Sequence, residues 1–434
     1  MCGIIGIIGK ADATPRLLEG LERLEYRGYD SAGIATLVDG AIERRRAEGK
    51  ICNLNALVDR QPLPGSIGIG HTRWATHGLP TETNAHPHAD HRVVLVHNGI
   101  IENFQELRQE LSDTGRNFRS ETDTEAVVHL ISSYLEDGKT PAEAVSSALK
   151  RLEGAFALAI LFAGRDNLMI AARRGSPLAI GYGEGEMFVG SDALALAPLT
   201  QQICYLEEGD WAEITATAAV IHDEADTVVY RAVQQTSSSG AVIGKGNFPH
   251  FMLKEIFEQP AVIGDTLQSV LNPWNEVITL PEMPFDLTTI PRITIVACGT
   301  SFHAGLVARY WFETEAGIPT DIDIASEFRY RTIEMQQDGL SLFISQSGET
   351  ADTLAALRYA KEQGQHIISV VNVAESSMAR ESDAVLRTQA GPEIGVASTK
   401  AFTTQLTTLA CFAIGIGAAR GKINREREAA LCHA

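Results

Sequence analysis

The chain has 434 residues, of which 44% are hydrophobic and 21% charged. That is too long for one hydrophobic core, which stops growing near about 250 to 300 residues, and too apolar and varied for a disordered, collagen-like or coiled-coil chain, so two domains are expected. Lys plus Arg number 36 against 55 Asp plus Glu, a net charge of −19, and a field of that sign repels nucleic acid and anionic membrane surfaces.

The opening stretch, MCGIIGIIGK, lacks the cationic start of a secretory signal. The longest later apolar run, Leu409 to Ala419, falls short of the roughly 20 residues that span a bilayer. Six cysteines, at 2, 52, 204, 298, 411 and 432, form no C-x-x-C pair, so neither a disulfide framework nor a structural zinc knuckle is expected. A cytoplasmic protein fits these features.

In chain order, the part up to about residue 235 reads as short strands (Gly3 to Ile8, Arg92 to His97, Ala155 to Phe162, Leu168 to Ala172) with helices between them, notably Pro15 to Leu24 and Thr124 to Glu136. That mixture is α+β. Residues 236–250, within the polar stretch around Thr-Ser-Ser-Ser-Gly, have the composition of a linker. From 251 to 434 the rhythm becomes apolar strand, small-residue turn, helix: ITIVACGTS with a helix to Ala316, SLFISQSGET with a helix to Gln363, then HIISVVNV. This alternation predicts right-handed βαβ crossovers and a doubly wound parallel sheet, an α/β domain. The charged tail from Lys422 looks like a helix start with little after it, which suggests an incomplete chain.

Cys2 stands next to the initiator Met1. Removal of Met1 would put a thiol and a free α-amine on one carbon, and an amine titrating near about 7.7 to 8.0 can take the thiol proton. A small buried residue at a strand start is the bland alternative. Three more segments bear on the choice. His71-Thr-Arg-Trp-Ala-Thr-His-Gly78 follows the strand Ser66 to Gly70, and Arg73 there suits a bidentate carboxylate clamp, or else a surface ion pair. Asn98-Gly99 offers an amide and an N–H to an oxyanion, or else a hairpin turn. Asp123, in Glu121-Thr-Asp-Thr124, suits a substrate ammonium, or else an N-cap. The histidines at 86, 88 and 91 could suggest a metal, but no carboxylate or cysteine stands at a familiar spacing, so none is expected.

In the second part, Cys298-Gly-Thr-Ser301 and Ser345-Gln-Ser-Gly-Glu-Thr350 each lie between a strand and the next helix. Exposed N–H groups and the positive helix end make such turns anion cradles, although Ser and Thr there also serve as caps. Two such turns at adjacent parallel strands favour a phosphate held without a basic patch. No Walker A loop and no dinucleotide fingerprint is present, so no nucleotide cofactor is expected. Lys400, in Ser-Thr-Lys, reads as a surface charge rather than an imine-forming amine.

Residues 2 to about 235 resemble the N-terminal-nucleophile glutaminase domain of amidotransferases, and the two Ser/Thr turns resemble the sugar-isomerase (SIS) domain. With ASEFRYR from Ala325 and EIGVASTKAFTTQL from Glu393, the whole chain resembles the isomerising glutamine:fructose-6-phosphate aminotransferase family. The resemblance implies a four-layer αββα sandwich followed by a doubly wound SIS domain. Cys2 would attack the glutamine amide, with Asn98 and Gly99 as the oxyanion hole. Arg73 and Asp123 would hold the substrate's carboxylate and amine, while Trp74, Thr76 and His77 line its pocket. Ser301, Ser345, Gln346, Ser347 and Thr350 would bind phosphate, Thr300 and Ser398 would reach sugar oxygens, and Val396 and Ala397 would add backbone contacts. Ammonia, gated near Trp74, would convert fructose 6-phosphate to glucosamine 6-phosphate in a homodimer without a cofactor. The family carries two SIS domains, so its isomerase lysine, glutamate and histidine would lie beyond Ala434; a chain ending there would act only as a glutaminase with a sugar-phosphate-binding module. Amidotransferases of the phosphoribosyl-linked or asparagine-forming kinds need a diphosphate- or ATP-binding second domain, which the Ser/Thr turns argue against.

Overall fold

The computed structural model describes residues 2–75, 78–236, 245–272 and 274–433. It divides into two compact units, Met1–Val242 and Ile243–Ala434.

The first unit begins with β1 (Gly3–Ile8), α1 (Thr14–Leu24), β2 (Ser31–Val38), β3 (Ala41–Glu48), α2 (Ile51–Arg60) and β4 (Ile67–Arg73). After β5 (His88–Ala89) and β6 (Val93–Ile101) come α3 (Phe104–Asp113), α4 (Thr124–Glu136) and α5 (Pro141–Leu149). Strands β7 (Gly154–Phe162), β8 (Met169–Arg174), β9 (Ala179–Tyr182) and β10 (Met187–Gly190) follow, then α6 (Ala193–Leu196). Last come β11 (Gln202–Tyr205), β12 (Trp211–Ile214), β13 (Ala219–His222), β14 (Val228–Val229) and β15 (Val233–Gln235). They form an eight-stranded sheet in the order β15-β11-β9-β10-β1-β4-β2-β3 and a seven-stranded sheet in the order β14-β13-β12-β8-β7-β6-β5.

Strand pleating explains how the layers stack, because successive side chains point to opposite faces. In β1, Ile4 and Ile8 join a core shared with Val94 and Val96 of β6, between the two sheets. Ile5 and Ile7 instead pack with Leu17 and Leu21 of α1 and Leu54 of α2. In β6, Val93 and Leu95 face Val127, Leu130 and Ile131 of α4 and Ala144 of α5. The result is helix, sheet, sheet, helix: the four-layer αββα sandwich. The edge strand β3 carries Arg44, Arg45 and Arg46, the charged side chains that discourage edge-to-edge pairing.

The second unit opens with α7 (Phe251–Gln268) and the short pair β16 (Leu271–Asn272) and β17 (Val277–Ile278). Then come β18 (Ile293–Ala297), α8 (Gly299–Trp311), β19 (Thr320–Ile324), α9 (Ala325–Phe328), β20 (Leu340–Ser345), α10 (Ala351–Glu362), β21 (His366–Val371), α11 (Ser377–Glu381) and β22 (Ala384–Arg387). Two helices, α12 (Lys400–Ala419) and α13 (Arg425–His433), close the chain. The five-stranded sheet has the order β19-β18-β20-β21-β22 and is parallel throughout. One face is covered by Ala304 and Ala308 of α8 and Leu409, Phe412 and Ile416 of α12, and the other by Phe328 of α9, Leu357 of α10 and Met378 of α11. The domain is doubly wound, and the winding reverses between β18 and β20, where ligands of such sheets gather.

Among the described residues α12 is long and apolar enough to cross a membrane, with hydropathy 1.4, yet 61% of that stretch is buried inside the protein. It is a core helix, and its apolar character runs beyond Leu409 to Ala419. Phe312 is fully buried and meets Phe412 of α12 edge-on, with ring centroids 5.7 Å apart. Phe312→Ala is expected to destabilise this unit by about 3 to 5 kcal/mol, read as a lower urea midpoint; an unchanged midpoint would refute the packing described.

Candidate active site

The same parity that layers the first unit assembles its site. Cys2 precedes β1 on the side of Ile4, Asn98 continues the side of Val94 and Val96, and His71 and Arg73 continue that of Ile67 and Ile69 in β4. All four therefore face the space between the sheets at one end of the sandwich. Antiparallel pairing of Gly3 with Thr72 sets Cys2 beside the end of β4. The Trp74 N–H donates to Cys2 Sγ at 3.2 Å, and the thiol lies 3.5 Å from the Trp74 carbonyl.

Asn98 crosses from the second sheet to the first, its Nδ2 donating to the Cys2 carbonyl at 3.0 Å. Its orientation follows from His71. His71 Nε2 lies 2.9 Å from the His97 carbonyl, which can only accept, so Nε2 carries the proton and Oδ1 of Asn98, at 3.1 Å, also accepts. The amide NH2 is thereby turned toward Cys2. Asn98-Gly99 is not a hairpin turn, because β6 runs on to Ile101 and pairs Asn98 with Ala157 and Gly99 with Phe156. Gly99 has φ +126, and a Cβ there would fall 2.0 Å from the Ala155 carbonyl oxygen, so only glycine keeps this strand end.

Arg73 is the last residue of β4 rather than part of a loop, and it is buried, 3% exposed, rather than at the surface. Its guanidinium donates to the carbonyls of Gly78 at 3.3 Å and Leu79 at 3.2 Å. Burial lowers its pKa, while nearby Cys2, Asp123 and Asp30 act to raise it. Trp74 is partly exposed and meets Tyr29 edge-on at 5.6 Å. Asp123 caps α4 through the Thr124 N–H and also accepts from the Ile101 N–H at 2.9 Å, which ties the helix start to the end of β6. Thr76 and His77 lie outside the described residues.

Burial pushes the Cys2 thiol above its usual range; the Trp74 N–H and Arg73 oppose this without overcoming it, and Asp123 adds to the rise. The thiol is therefore held in its protonated form at neutral pH.

In the second unit both Ser/Thr turns leave the carboxyl ends of β18 and β20, the neighbours at the winding reversal. Thr300 and Ser301 sit in the first turn of α8. Neither α8 nor α10 has a side-chain cap, so the hydroxyls do not serve as caps and the first N–H groups stay available. Ser345 Oγ accepts from the Gly348 N–H at 3.0 Å and lies 3.1 Å from Thr350 Oγ1. Gly348 has φ +63 and a Cβ there would fall 2.0 Å from Ser376 Oγ, which keeps the turn tight. Ser347 and Gln346 are half-buried in the same turn.

Val396 and Ala397 are exposed on the loop before α12, and Ser398 Oγ donates to Glu393 Oε2 at 2.9 Å. Glu255 of α7, 1% exposed, accepts from the N–H groups of Ile394 at 2.6 Å and Gly395 at 3.0 Å. Lys400 is not a surface charge: it is buried and paired with Glu258 of α7 at 2.7 Å. Neither Glu255 nor His71 carries a sequence signal, since each acts through a contact made only by the fold.

Two family descriptions match the chain: a glutamine amidotransferase domain over residues 58–246 and a SIS domain over 286–415. The glutamine–fructose-6-phosphate aminotransferase (isomerizing) of Zymomonas mobilis is 60% identical over 428 residues, covering 99% of this chain and 70% of that protein. Its counterpart in Bradyrhizobium diazoefficiens is 57% identical over 434 residues, covering 100% of this chain and 71% of that protein. Among solved structures, the C-terminal domain of the Francisella tularensis glucosamine-fructose-6-phosphate aminotransferase is 43% identical over 44% of this chain and 54% of that one, with a TM-score of 0.43.

The αββα sandwich joined to a doubly wound SIS sheet defines a glutamine amidotransferase with a SIS domain. More narrowly, the chain belongs to the isomerising glutamine–fructose-6-phosphate aminotransferase family.

Behind Cys2, His86 and His88 place their Nε2 atoms on Thr124 at 2.9 Å and Thr122 at 3.1 Å, while His91 is exposed. Burial drives His71 and His88 to about 3 and His86 well below its usual range. These imidazoles fold neutral, whereas the unfolded chain takes up their protons below about 6.5. Stability should therefore fall as pH drops from about 6.5 toward 3, by about 1.4 kcal/mol per pH unit for each fully protonated unfolded imidazole. Urea midpoints between pH 7.5 and 5 should decline, and His88→Gln should flatten the decline; equal slopes would contradict the assignment.

Proposed function

We propose that the protein releases ammonia from glutamine at Cys2 and uses it to convert fructose 6-phosphate to glucosamine 6-phosphate. One observation carries this reading: a half-buried Cys2 thiol accepts from the Trp74 N–H while the Asn98 NH2 donates to the Cys2 carbonyl beside it, in a chain whose second unit offers two uncapped helix starts at adjacent parallel strands.

In this reading removal of Met1 frees the α-amine of Cys2, which takes the thiol proton as sulfur attacks the amide carbon. Asn98 Nδ2 and the Gly99 N–H stabilise the resulting oxyanion. Collapse breaks the C–N bond, ammonia leaves with a returned proton, and water cleaves the thioester to glutamate and free thiol. The neutral resting thiol explains why a base at the nucleophile itself is needed. Arg73 holds the glutamine carboxylate, Asp123 its ammonium, and Trp74, Thr76 and His77 enclose it. Ser301, Ser345, Gln346, Ser347 and Thr350 hold the phosphate, Thr300 and Ser398 the sugar oxygens, and the backbone of Val396 and Ala397 adds contacts. Domain limits of 1–235 and 251–434, with 236–250 as linker, belong to the same reading. So do a cytoplasmic location, supported by six free cysteines, and a homodimer, supported by the exposed Phe257, Tyr310 and Tyr330.

Cys2→Ala should abolish glutamine turnover, whereas Ser347→Ala should weaken fructose 6-phosphate binding by about tenfold or more. Turnover by Cys2→Ala, or active protein that keeps Met1 by intact-mass measurement, would refute the mechanism. With both substrates supplied, glucosamine 6-phosphate should accompany glutamate; glutamate alone would refute the synthase reading.

A further inference from the structure

The hydroxyls of the sugar-phosphate cradle differ in where their protons can point, and framework groups decide it. Gln405, on α12 and 2% exposed, donates from Nε2 to Ser301 Oγ at 3.1 Å. Its Oε1 is buried without a hydrogen-bond partner. The reversed amide would leave an NH2 group with two unpaired donors in that space, and orphaned donors are rarer in proteins than under-satisfied carbonyl oxygens. With a lone pair of Ser301 filled by Gln405, the Ser301 proton is left for a ligand.

Ser347 is held the same way, accepting from the Glu349 N–H at 3.2 Å. In the Ser345–Thr350 pair, 3.1 Å apart, one proton lies between the oxygens and the other hydroxyl proton remains available. Ser398 is the opposite case. It donates to the Glu393 carboxylate, which can only accept, so it presents lone pairs outward. A phosphate dianion offers only acceptors, and none of Ser301, Ser345, Gln346, Ser347 and Thr350 is cationic, so donor polarity must do what a lysine or arginine does elsewhere.

We propose that Gln405 is a positioning residue that fixes Ser301 as a donor, so that the cradle selects a phosphate dianion while Ser398, held as an acceptor by Glu393, takes a neutral sugar hydroxyl. This inference rests on the sugar-phosphate reading of the second unit.

The test is calorimetric titration of the purified chain with fructose 6-phosphate and, separately, inorganic phosphate. Gln405→Glu, an acceptor-only side chain of the same shape, should weaken both ligands by about tenfold to a hundredfold, the loss of a hydrogen bond to a charged group. Gln405→Met, uncharged and of similar volume, should weaken both by about threefold to tenfold, yet by less than about twofold in a Ser301→Ala background. The Met pair decides the matter if Gln405→Glu fails to fold. Binding within about twofold of wild type in Gln405→Glu, or an undiminished Gln405→Met effect in the Ser301→Ala background, would overturn the proposal. A wild-type chain that binds neither ligand would remove the sugar-phosphate reading, and this inference with it.

Discussion

The first unit depends on strand parity. Because side chains alternate across a strand, a one-residue slip in β1, β4 or β6 would turn its residues to the opposite face. The isoleucines of β1 cannot change layers without breaking the packing on both of its buried faces, so the register that buries Ile4 and Ile8 between the sheets also aims Cys2 inward. The same condition on β4 and β6 aims His71, Arg73 and Asn98 at that space. Packing and chemistry are thus set by one constraint, and His71 completes it by fixing the direction of the Asn98 amide.

The second unit solves a different problem. A chain with net charge −19 gains nothing from its overall field when it meets an anion. Its winding reversal supplies two helix starts without side-chain caps, where oriented N–H groups give local positive potential. The carboxylates nearby are occupied: Glu255 and Glu393 accept from backbone N–H groups and Glu258 pairs with Lys400. Burial tends to raise the Glu258 pKa, but the Lys400 ammonium outweighs that and keeps it below its usual range.

Much of this was legible in the sequence where local pattern and tertiary contact agree. The Gly3 to Ile8 strand, the Thr124 to Glu136 helix and the strand–turn–helix rhythm after residue 251 are strongly periodic, and the structure follows them. Arg73 and Asn98-Gly99 were harder, since a strand end and a hairpin turn share residue types; only pairing with β7 shows that the strand continues. Lys400 looked exposed because its partner, Glu258, lies 142 residues away. His71, Glu255 and Gln405 were invisible for the same reason: their roles consist of contacts across long sequence separations.

The clasp formed by α7 has a consequence for how the second unit comes together. Glu255 holds Ile394 across a sequence separation of 139, so the loop leading into α12 gains its anchor from the first helix of its unit. Closing so long a loop carries an entropic cost before any contact repays it, and such closures come late and slow folding. The segment carrying Ser398 therefore becomes ordered only when the opening helix and the closing helix have docked. During synthesis, the earliest part of this unit must wait unpartnered for nearly the whole of its remaining length.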